Sequence, residues 1–312
     1  MLKKAICLSL AFPLSLNIFP FNNNIKDIFS KANENKPFKV ESFKENLQVD
    51  DLDKNTINNH IKKNLNSFFE KKITVDDLKL NTTERNWFFQ PKKDGSPSGE
   101  PPDVLELLKS YSGYYLGDTS KKIIYLTFDE GYENGYSAKI LDSLKANNVK
   151  AAFFVTTDYI KRNPDLIKRM STEGHLVCNH STTHPSMAQS AMKDKVKFEN
   201  EFANCEKAFE EVTSTKMPKF FRPPMGKYSE LSLYYTQALG YKSIFWSFAY
   251  KDWLPDNQPS IEAAKKIIME RTHNGGIFLL HAVSKTNAAI MDSILKEWKG
   301  KGFEFKTLNE LP

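Results

Sequence analysis

Cysteine is scarce in this chain of 312 residues, and its scarcity excludes two kinds of protein. The chain has three cysteines, Cys7, Cys178 and Cys205, and no two of them are spaced as CxxC. A disulfide framework needs a dense, even set of cysteines, and a thiolate zinc site needs closely spaced pairs. We therefore expect neither, and an exported form of this chain would fold without a disulfide.

A strong excess of one charge sign is also absent. The chain carries 44 basic and 38 acidic residues, a net charge of +6, which is too diffuse to indicate a nucleic-acid partner. With 26% charged and 40% hydrophobic residues, it is neither a polytopic membrane protein nor a disordered chain. Its length suits one large domain or two ordinary ones.

Long hydrophobic runs are missing except at the N-terminus. A basic start at residues 1–4 precedes an apolar run at residues 5–21 that contains three polar residues. This pattern is typical of a secretory signal, and the two prolines in the run argue against a membrane span of about 20 residues. Because a small-residue cleavage site is missing, an uncleaved anchor at 5–21 remains the alternative. We predict a signal peptide or membrane anchor at 1–21 and export to the cell wall.

The remaining chain divides into an extension and a domain. Residues 22–86 are rich in Asn and Lys and bury little, which predicts a variable, largely irregular extension with short helices near 58–69. Residues 91–102 have the composition of a loop. We assign 87–312 to one catalytic domain, and no internal repeat is evident.

Beyond Gly117, apolar strand patterns alternate with helical patterns. This alternation indicates a parallel sheet with crossover helices, and seven repeats suit an α/β fold of the incomplete (β/α) barrel type. The predicted strands are 123–128, 151–155, 175–178, 219–222, 242–246, 276–280 and 303–306. The predicted helices are 137–147, 164–173, 196–212, 231–239, 261–271 and 288–299.

Polar clusters follow five of these strands. In such barrels the chemistry lies at the carboxyl ends of the strands, so these clusters should meet on one rim. Two carboxylates, three imidazoles, a guanidinium and a further Asp together indicate a hydrolytic metal site. The residues concerned are Asp129 and Glu130, His180 and His184, Arg222, Asp252, and His281.

The first pair of interest is His180 and His184. The i, i+4 spacing would place both imidazoles on one face of a helical turn, within reach of one cation. Asp129 or Glu130 could supply a third ligand, although adjacent carboxylates also occur in solvated turns. Taken singly, an HxxxH pair arises by chance, Arg222 could cap a loop, and His281 could be a structural hydrogen-bonding residue.

The complete set resembles the polysaccharide deacetylases, which have the NodB-homology fold of carbohydrate esterase family 4. The resemblance covers about residues 121–311 and includes five motifs in order. The strings at 114–118, 131–136, 247–253 and 281–288 are similar to the delta-lactam-biosynthetic de-N-acetylase subgroup. They extend the resemblance back to about Trp87.

This resemblance implies a role for each polar residue at the metal. Asp129 would be the general base, and Glu130, His180 and His184 would bind a divalent metal, with zinc as the expected ion. The family usually has Asp-Asp where this chain has Asp129-Glu130, so Glu130 could bind the metal differently or not at all.

The resemblance also implies roles around the reacting group. Arg222 would orient Asp129 with help from Asp252, because Ala249 stands where the family has another acid. His281 would be the general acid, and the backbone N–H of Met225 would help to form the oxyanion hole. The acetyl pocket would be lined by Trp253 and Leu279. Apart from the resemblance, aromatic side chains that include Tyr132 and Tyr250 could stack on sugar faces or, equally, pack between strand and helix.

We therefore expect hydrolysis of the N-acetyl group of N-acetylmuramic acid in peptidoglycan, leading to muramic-delta-lactam in the spore cortex. The expected partner is the peptidoglycan strand, with no nucleic acid, a monomeric enzyme, and membrane contact only through the N-terminal segment. Two alternatives remain. One is a deacetylase of N-acetylglucosamine in peptidoglycan or chitin-like oligomers, and the other is a non-catalytic cell-wall binding protein. A barrel glycosidase is disfavoured because the acids are accompanied by imidazoles.

Overall fold

The computed structural model describes residues 79–312. The predicted leader at 1–21, the short helices near 58–69 and the extension up to residue 78 lie outside the described residues. Within 79–312, none of the helices combines the length and the apolar character needed to cross a bilayer. The two cysteines of this part, Cys178 and Cys205, are free and buried.

The described residues alternate between strands and helices as the sequence predicts. The strands are β1 Arg85–Asn86, β2 Gly113–Tyr114, β3 Ile123–Glu130, β4 Ala152–Val155, β5 Leu176–Asn179, β6 Phe220–Phe221, β7 Lys227–Tyr228, β8 Lys242–Ile244, β9 Gly276–His281 and β10 Glu304–Phe305. The helices are α1 Pro102–Ser110, α2 Ser137–Ala146, α3 Thr157–Arg162, α4 Pro164–Thr172, α5 Met187–Lys193, α6 Lys195–Thr213, α7 Glu230–Ala238, α8 Ile261–Glu270 and α9 Lys285–Gly300. Short 3₁₀ turns occupy Pro224–Gly226 and Leu308–Glu310.

The main sheet is parallel and curls into an incomplete barrel. Its order is β10-β3-β4-β5-β6-β8-β2, and β9 also pairs with β3. The backbone after β8 returns to the far side of β9, where Ser247 N–H donates to the Ile277 carbonyl at 3.0 Å. Leu279 N–H donates to the Phe248 carbonyl at 2.9 Å. These bonds nearly close the sheet, so the predicted distorted (β/α) barrel of about seven parallel strands is confirmed.

Each strand sends alternate side chains to opposite faces, and the two faces have separate cores. On β3, Ile124, Leu126 and Phe128 pack outward against the helices. Ile123 and Tyr125 point into the barrel, where they meet residues such as Phe154, Cys178, Ile244 and Ile277. The inward rows of β3, β4, β5, β6, β8 and β9 therefore contribute apolar core residues, and their continuation at the carboxyl end faces the rim.

Three helices were not predicted from the sequence: α1, α3 and α5. The first lies just beyond the predicted 91–102 loop, and it begins with Pro102 in its first turn and buries Val104 and Leu108 one turn apart. A proline at that position is compatible with a helix because its missing N–H would be unpaired there anyway. Residues 79–86, which the sequence places in the extension, pack on the barrel through β1, which pairs antiparallel with β7.

Candidate active site

Five polar or aromatic side chains lie at the next inward position after the apolar part of a strand. They are Asp129, His180, Arg222, Trp246 and His281. The second, third and fourth of these come two residues after an inward core residue of the same strand, and Asp129 and His281 come four residues after one. They meet at one cavity of about 740 Å³ or directly beneath it. The cavity is lined by Phe89, Asp129, Gly131, Tyr132, His180, His184, Met225, Trp246, Ala249, Tyr250, Lys251, Trp253, Leu279, His281 and Val283.

Asp129 is held by the fully buried guanidinium of Arg222. Arg222 Nη1 donates to Asp129 Oδ1 at 2.7 Å, and Arg222 Nε donates to the Ile244 carbonyl at 3.1 Å. Burial raises the pKa of Asp129, but the positive charge of Arg222, with His180 and His281, outweighs burial and holds the pKa below its ordinary value. Asp129 is therefore an ionised base whose direction is fixed.

His180 presents one ring nitrogen to the cavity with its lone pair free. Its Nδ1 lies 2.8 Å from the Arg222 carbonyl oxygen, which can only accept, so Nδ1 carries the proton. Its Nε2 lies 3.6 Å from Asp129 Oδ2, and the His184 ring centroid is 4.9 Å from its own. Burial lowers the pKa of His180 to about 4 and also lowers the pKa of His184, so both imidazoles are neutral near pH 7.

The two imidazoles converge through a tight loop, and the helical turn expected from their spacing is wrong. Ser181 and His184 adopt left-handed backbone angles, with φ of 72° and 59°. Such angles cost free energy for residues other than glycine and need support from surrounding contacts. Glu201 on α6 supplies it, since its Oε2 accepts from the N–H groups of Thr182 at 2.9 Å and Thr183 at 2.8 Å.

Glu201→Ala is therefore expected to weaken metal binding about 10- to 100-fold, the effect typical of removing an outer-shell support. The backbone N–H groups of Thr182 and Thr183 would lose their shared carboxylate acceptor, and the two imidazoles would lose their common direction. Calorimetric titration with Zn²⁺ measures this effect, and Glu211→Ala, which removes an exposed carboxylate from the same helix, is the control. Equal affinity in the two variants would contradict the role of Glu201.

Glu130 does not reach the cavity in the structure, contrary to its predicted place among the metal ligands. It belongs to the outward row of β3 with Phe128, and it is fully buried without a hydrogen-bond partner. Burial, together with the nearby carboxylates of Glu133 and Asp129, raises its pKa well above the usual range. Alternation of side chains along the strand is the physical reason, because adjacent residues cannot both face inward.

The donor set in the cavity fits a divalent cation in part. Two neutral imidazoles beside an ionised carboxylate are ligands that zinc accepts. Within residues 79–312, no three His, Cys, Asp or Glu side chains form a complete metal site. His180 and His184 would thus provide two ligands for such a cation, and water or substrate oxygen would have to complete the coordination.

Asp252 pairs with His281, which corrects the expectation that it helps to hold Arg222. Asp252 Oδ1 lies 2.7 Å from His281 Nδ1, and Asp252 Oδ2 accepts from the His281 backbone N–H at 2.8 Å. Burial lowers the pKa of His281, but Asp252 and then Asp129 outweigh it and raise the pKa above its ordinary value. His281 is therefore a protonated acid beside the ionised Asp129, its register partner on the adjacent strand β3.

The residues predicted to contact substrate all line the cavity. Trp253 is exposed and tilts over the His281 ring at a centroid distance of 5.7 Å. Leu279 forms part of the buried wall, and Tyr132 stands exposed at the rim. Met225 has a left-handed backbone, with φ of 59°, inside the turn that brings it to the cavity.

Comparisons with known proteins identify the family of this chain. A family model described as polysaccharide deacetylase matches residues 116–244. An uncharacterized protein of Geobacillus stearothermophilus is 46% identical over 226 residues, covering 72% of this chain and 84% of that protein. The peptidoglycan-N-acetylmuramic acid deacetylase PdaA of Bacillus subtilis is 39% identical over 226 residues, covering 72% of this chain and 85% of PdaA. This chain belongs to the polysaccharide deacetylase family.

Solved structures support the same assignment. The structure of Bacillus subtilis PdaA, a family 4 carbohydrate esterase, superimposes with a TM-score of 0.71 at 38% identity. It covers 74% of this chain and 97% of that one. A family 4 carbohydrate esterase from Bacillus anthracis gives a TM-score of 0.62 at 40% identity, with the same coverage of 74% and 97%. The resemblance to carbohydrate esterase family 4 noted in the sequence is thereby confirmed.

Several residues of this deacetylase site were missed by sequence reasoning. Phe89, Trp246 and Lys251 line the cavity, and Glu201 supports the histidine loop. Trp246 could have been found, because it continues the inward row of β8 two residues after Ile244. Glu201 could not, since its contact with Thr182 joins an exposed-looking helix position to a distant loop.

Proposed function

We propose that this deacetylase removes the N-acetyl group of N-acetylmuramic acid in peptidoglycan by metal-assisted hydrolysis. The observation that carries the proposal is the register pairing of Asp129 and His281 on the adjacent strands β3 and β9, where both side chains line one cavity and their pKa values are moved in opposite directions. An ionised base and a protonated acid that line one cavity are what amide hydrolysis requires. Similarity to PdaA, named for that substrate, supports the choice of sugar.

His180 and His184 would hold the cation, which we take to be zinc. When bound, such a cation supplies Lewis acidity that lowers the pKa of water and polarises a carbonyl. The carboxylate of Asp129 accepts the proton of the attacking water, and Arg222 keeps that carboxylate ionised and aimed. Met225 lines the cavity, and its backbone N–H would stabilise the oxyanion, an interaction worth roughly 2.7–4 kcal/mol when such a donor is removed from another hydrolase.

The reaction then ends with cleavage of the C–N bond. The protonated imidazole of His281 donates to the leaving nitrogen, which would otherwise depart as a strongly basic amide anion. The products are acetate and the free amine of muramic acid. That amine can close a lactam with the lactyl carboxyl of the same sugar, as expected for muramic-delta-lactam in spore cortex, and we place the enzyme in that exported compartment.

Acetate release from defined glycan strands tests the proposal. Purified protein is incubated with strands stripped of peptide and with peptide-bearing strands, and the products are analysed by mass for the sugar that lost acetyl. We expect muramic acid to lose its acetyl group, and we expect a chelator to prevent this loss. Loss of acetyl from glucosamine alone would overturn the proposed choice of muramic acid as substrate. Binding to the strands with no acetate release would favour a non-catalytic wall-binding protein.

Lys251 provides a test of the choice between the two sugars. It is the single ammonium group among the described residues that line the cavity, and muramic acid differs from glucosamine by a lactyl carboxylate. Lys251→Gln is expected to lower kcat/KM for muramic substrates about two- to fivefold, the size of an exposed ion pair. Activity on strands whose lactyl carboxyl has been reduced should not change. Lys139→Gln, on the exposed face of α2, is the control, and equal losses on both substrates would contradict this role.

A further inference from the structure

Behind His281 lies a buried hydrogen-bond network that the proposed reaction does not itself require. Its centre is Asn287, which is fully buried in the first turn of α9. The Ser284 hydroxyl caps this helix by accepting from the Asn287 backbone N–H at 3.0 Å. This cap uses the backbone N–H of Asn287 and not its side chain, so the side-chain amide can bond to other partners.

The amide of Asn287 joins both halves of the Asp252–His281 pair. Its Nδ2 donates to Asp252 Oδ2 at 2.6 Å and to the His281 backbone carbonyl at 3.1 Å. Both partners can only accept, so chemistry fixes which end of the amide faces them. Its Oδ1 must then accept, and it does so from the Tyr250 hydroxyl.

Asp252 thereby receives hydrogen bonds on both oxygens from three directions. Oδ1 faces His281 Nδ1, while Oδ2 accepts from the His281 backbone N–H and from Asn287. A carboxylate held in this way cannot rotate, and the imidazole bonded to it keeps one orientation toward the cavity. Without Asn287, one face of Asp252 would lose its fixed donor, and a buried anion would be left partly unpaired.

We propose that Asn287 is a positioning residue for the general acid: it orients His281 by fixing Asp252, and Tyr250 fixes Asn287 in turn. This proposal rests on the proposed deacetylation for its kinetic consequences. Tyr250 would then have two roles, because it lines the cavity and its hydroxyl donates to Asn287 Oδ1. The charged groups that act on His281 are Asp252, Asp129, Arg222 and His184.

The variant Asn287→Asp tests this assignment at constant shape, because it replaces the donating NH₂ with an oxygen that faces Asp252. Asn287→Ala removes the amide altogether. For both variants we expect kcat on an acetanilide to fall about 10- to 100-fold with KM within about twofold. Hydrolysis of the matching aryl acetate should fall less than about threefold, because a phenolate leaves without being protonated.

Asn147→Asp is the matched control. Asn147 is also buried and donates to an aspartate, Asp292, at 2.8 Å, but that pair joins α2 to α9 away from the cavity. The Asn147→Asp variant should have a changed melting temperature, but its ratio of amide to ester hydrolysis should stay at the wild-type value. Equal losses on amide and ester in the Asn287 variants would indicate general damage and overturn the proposal.

A second measurement does not depend on the substrate. The proton on His281 Nδ1, hydrogen-bonded to Asp252, should give a sharp downfield NMR resonance in the wild type and in Asn147→Asp. It should be broadened or lost in both Asn287 variants, and an unchanged resonance would overturn the proposal. Failure of the proposed function is separately visible, as a wild-type enzyme that releases no acetate from muramic strands.

Discussion

Asp129→Asn is expected to lower kcat for acetate release by about 10²- to 10⁴-fold, the usual contribution of a general base. Asparagine keeps the shape of the side chain but cannot accept the proton of water. Arg222 would retain its carbonyl acceptors but lose the 2.7 Å ion pair with Asp129. Because this guanidinium is fully buried, we also expect a loss of about 3–5 kcal/mol in the free energy of unfolding.

Glu130→Gln is the matched control for this prediction, since it makes the same chemical change one residue along the same strand. Glu130 is buried on the outward face and its raised pKa favours the neutral acid, which glutamine imitates. We expect kcat within about threefold of wild type. Both activities are to be measured well below the melting temperature of the weaker variant, and equal losses in the two variants would contradict the assignment of Asp129 as the base.

His281→Ala is expected to lower kcat for amide hydrolysis by a similar factor of about 10²–10⁴. The leaving nitrogen would then have no protonated imidazole to donate to it. Circular dichroism and a melting curve check that the variant remains folded, and hydrolysis of an aryl acetate serves as the comparison reaction. A folded variant with near-normal amide turnover would contradict the assignment.

The pairing of His281 with Asp252 also predicts how kcat depends on pH. Asp252 raises the pKa of His281, so the active protonated form persists above the ordinary value of 6.5 and is lost as pH rises through the raised pKa. Removing the charge with Asp252→Asn lowers that pKa, and the basic limb of kcat against pH should move to lower pH. A shift to higher pH, or none, would contradict the pairing seen at 2.7 Å.

Much of the fold could be predicted from the sequence, because the strands of this barrel are short apolar runs separated by helices with clear periodicity. The same regularity predicted which strand ends carry the polar side chains that meet at the cavity. The alternation of side chains along β3 could also have been predicted from the sequence. Tyr125, Thr127 and Asp129 fall on the inward face, and Glu130 therefore falls on the outward face. The resemblance to the family favoured Glu130 as a metal ligand, whereas the alternation along the strand predicts that Glu130 points away from the cavity.

Other features depend on contacts that no local pattern contains. The left-handed residues of the histidine loop are held by Glu201, which is 17 or more positions away in the chain. The pairing of Asp252 with His281 instead of Arg222 follows from where the loop after β8 meets β9. Likewise, Asn287 occupies an ordinary helix start in the sequence, and only the fold brings its amide to Asp252.

The most direct test of a metal centre built on two histidines is the metal content of purified protein after dialysis against trace Zn²⁺. Wild type and Glu130→Gln are both expected to retain about one ion per chain, whereas the double variant His180→Ala/His184→Ala should retain none. Loss of the ion in Glu130→Gln would place that carboxylate among the ligands and contradict the structure's division of β3 into two faces. Retention in the double histidine variant would show that the cation is bound elsewhere.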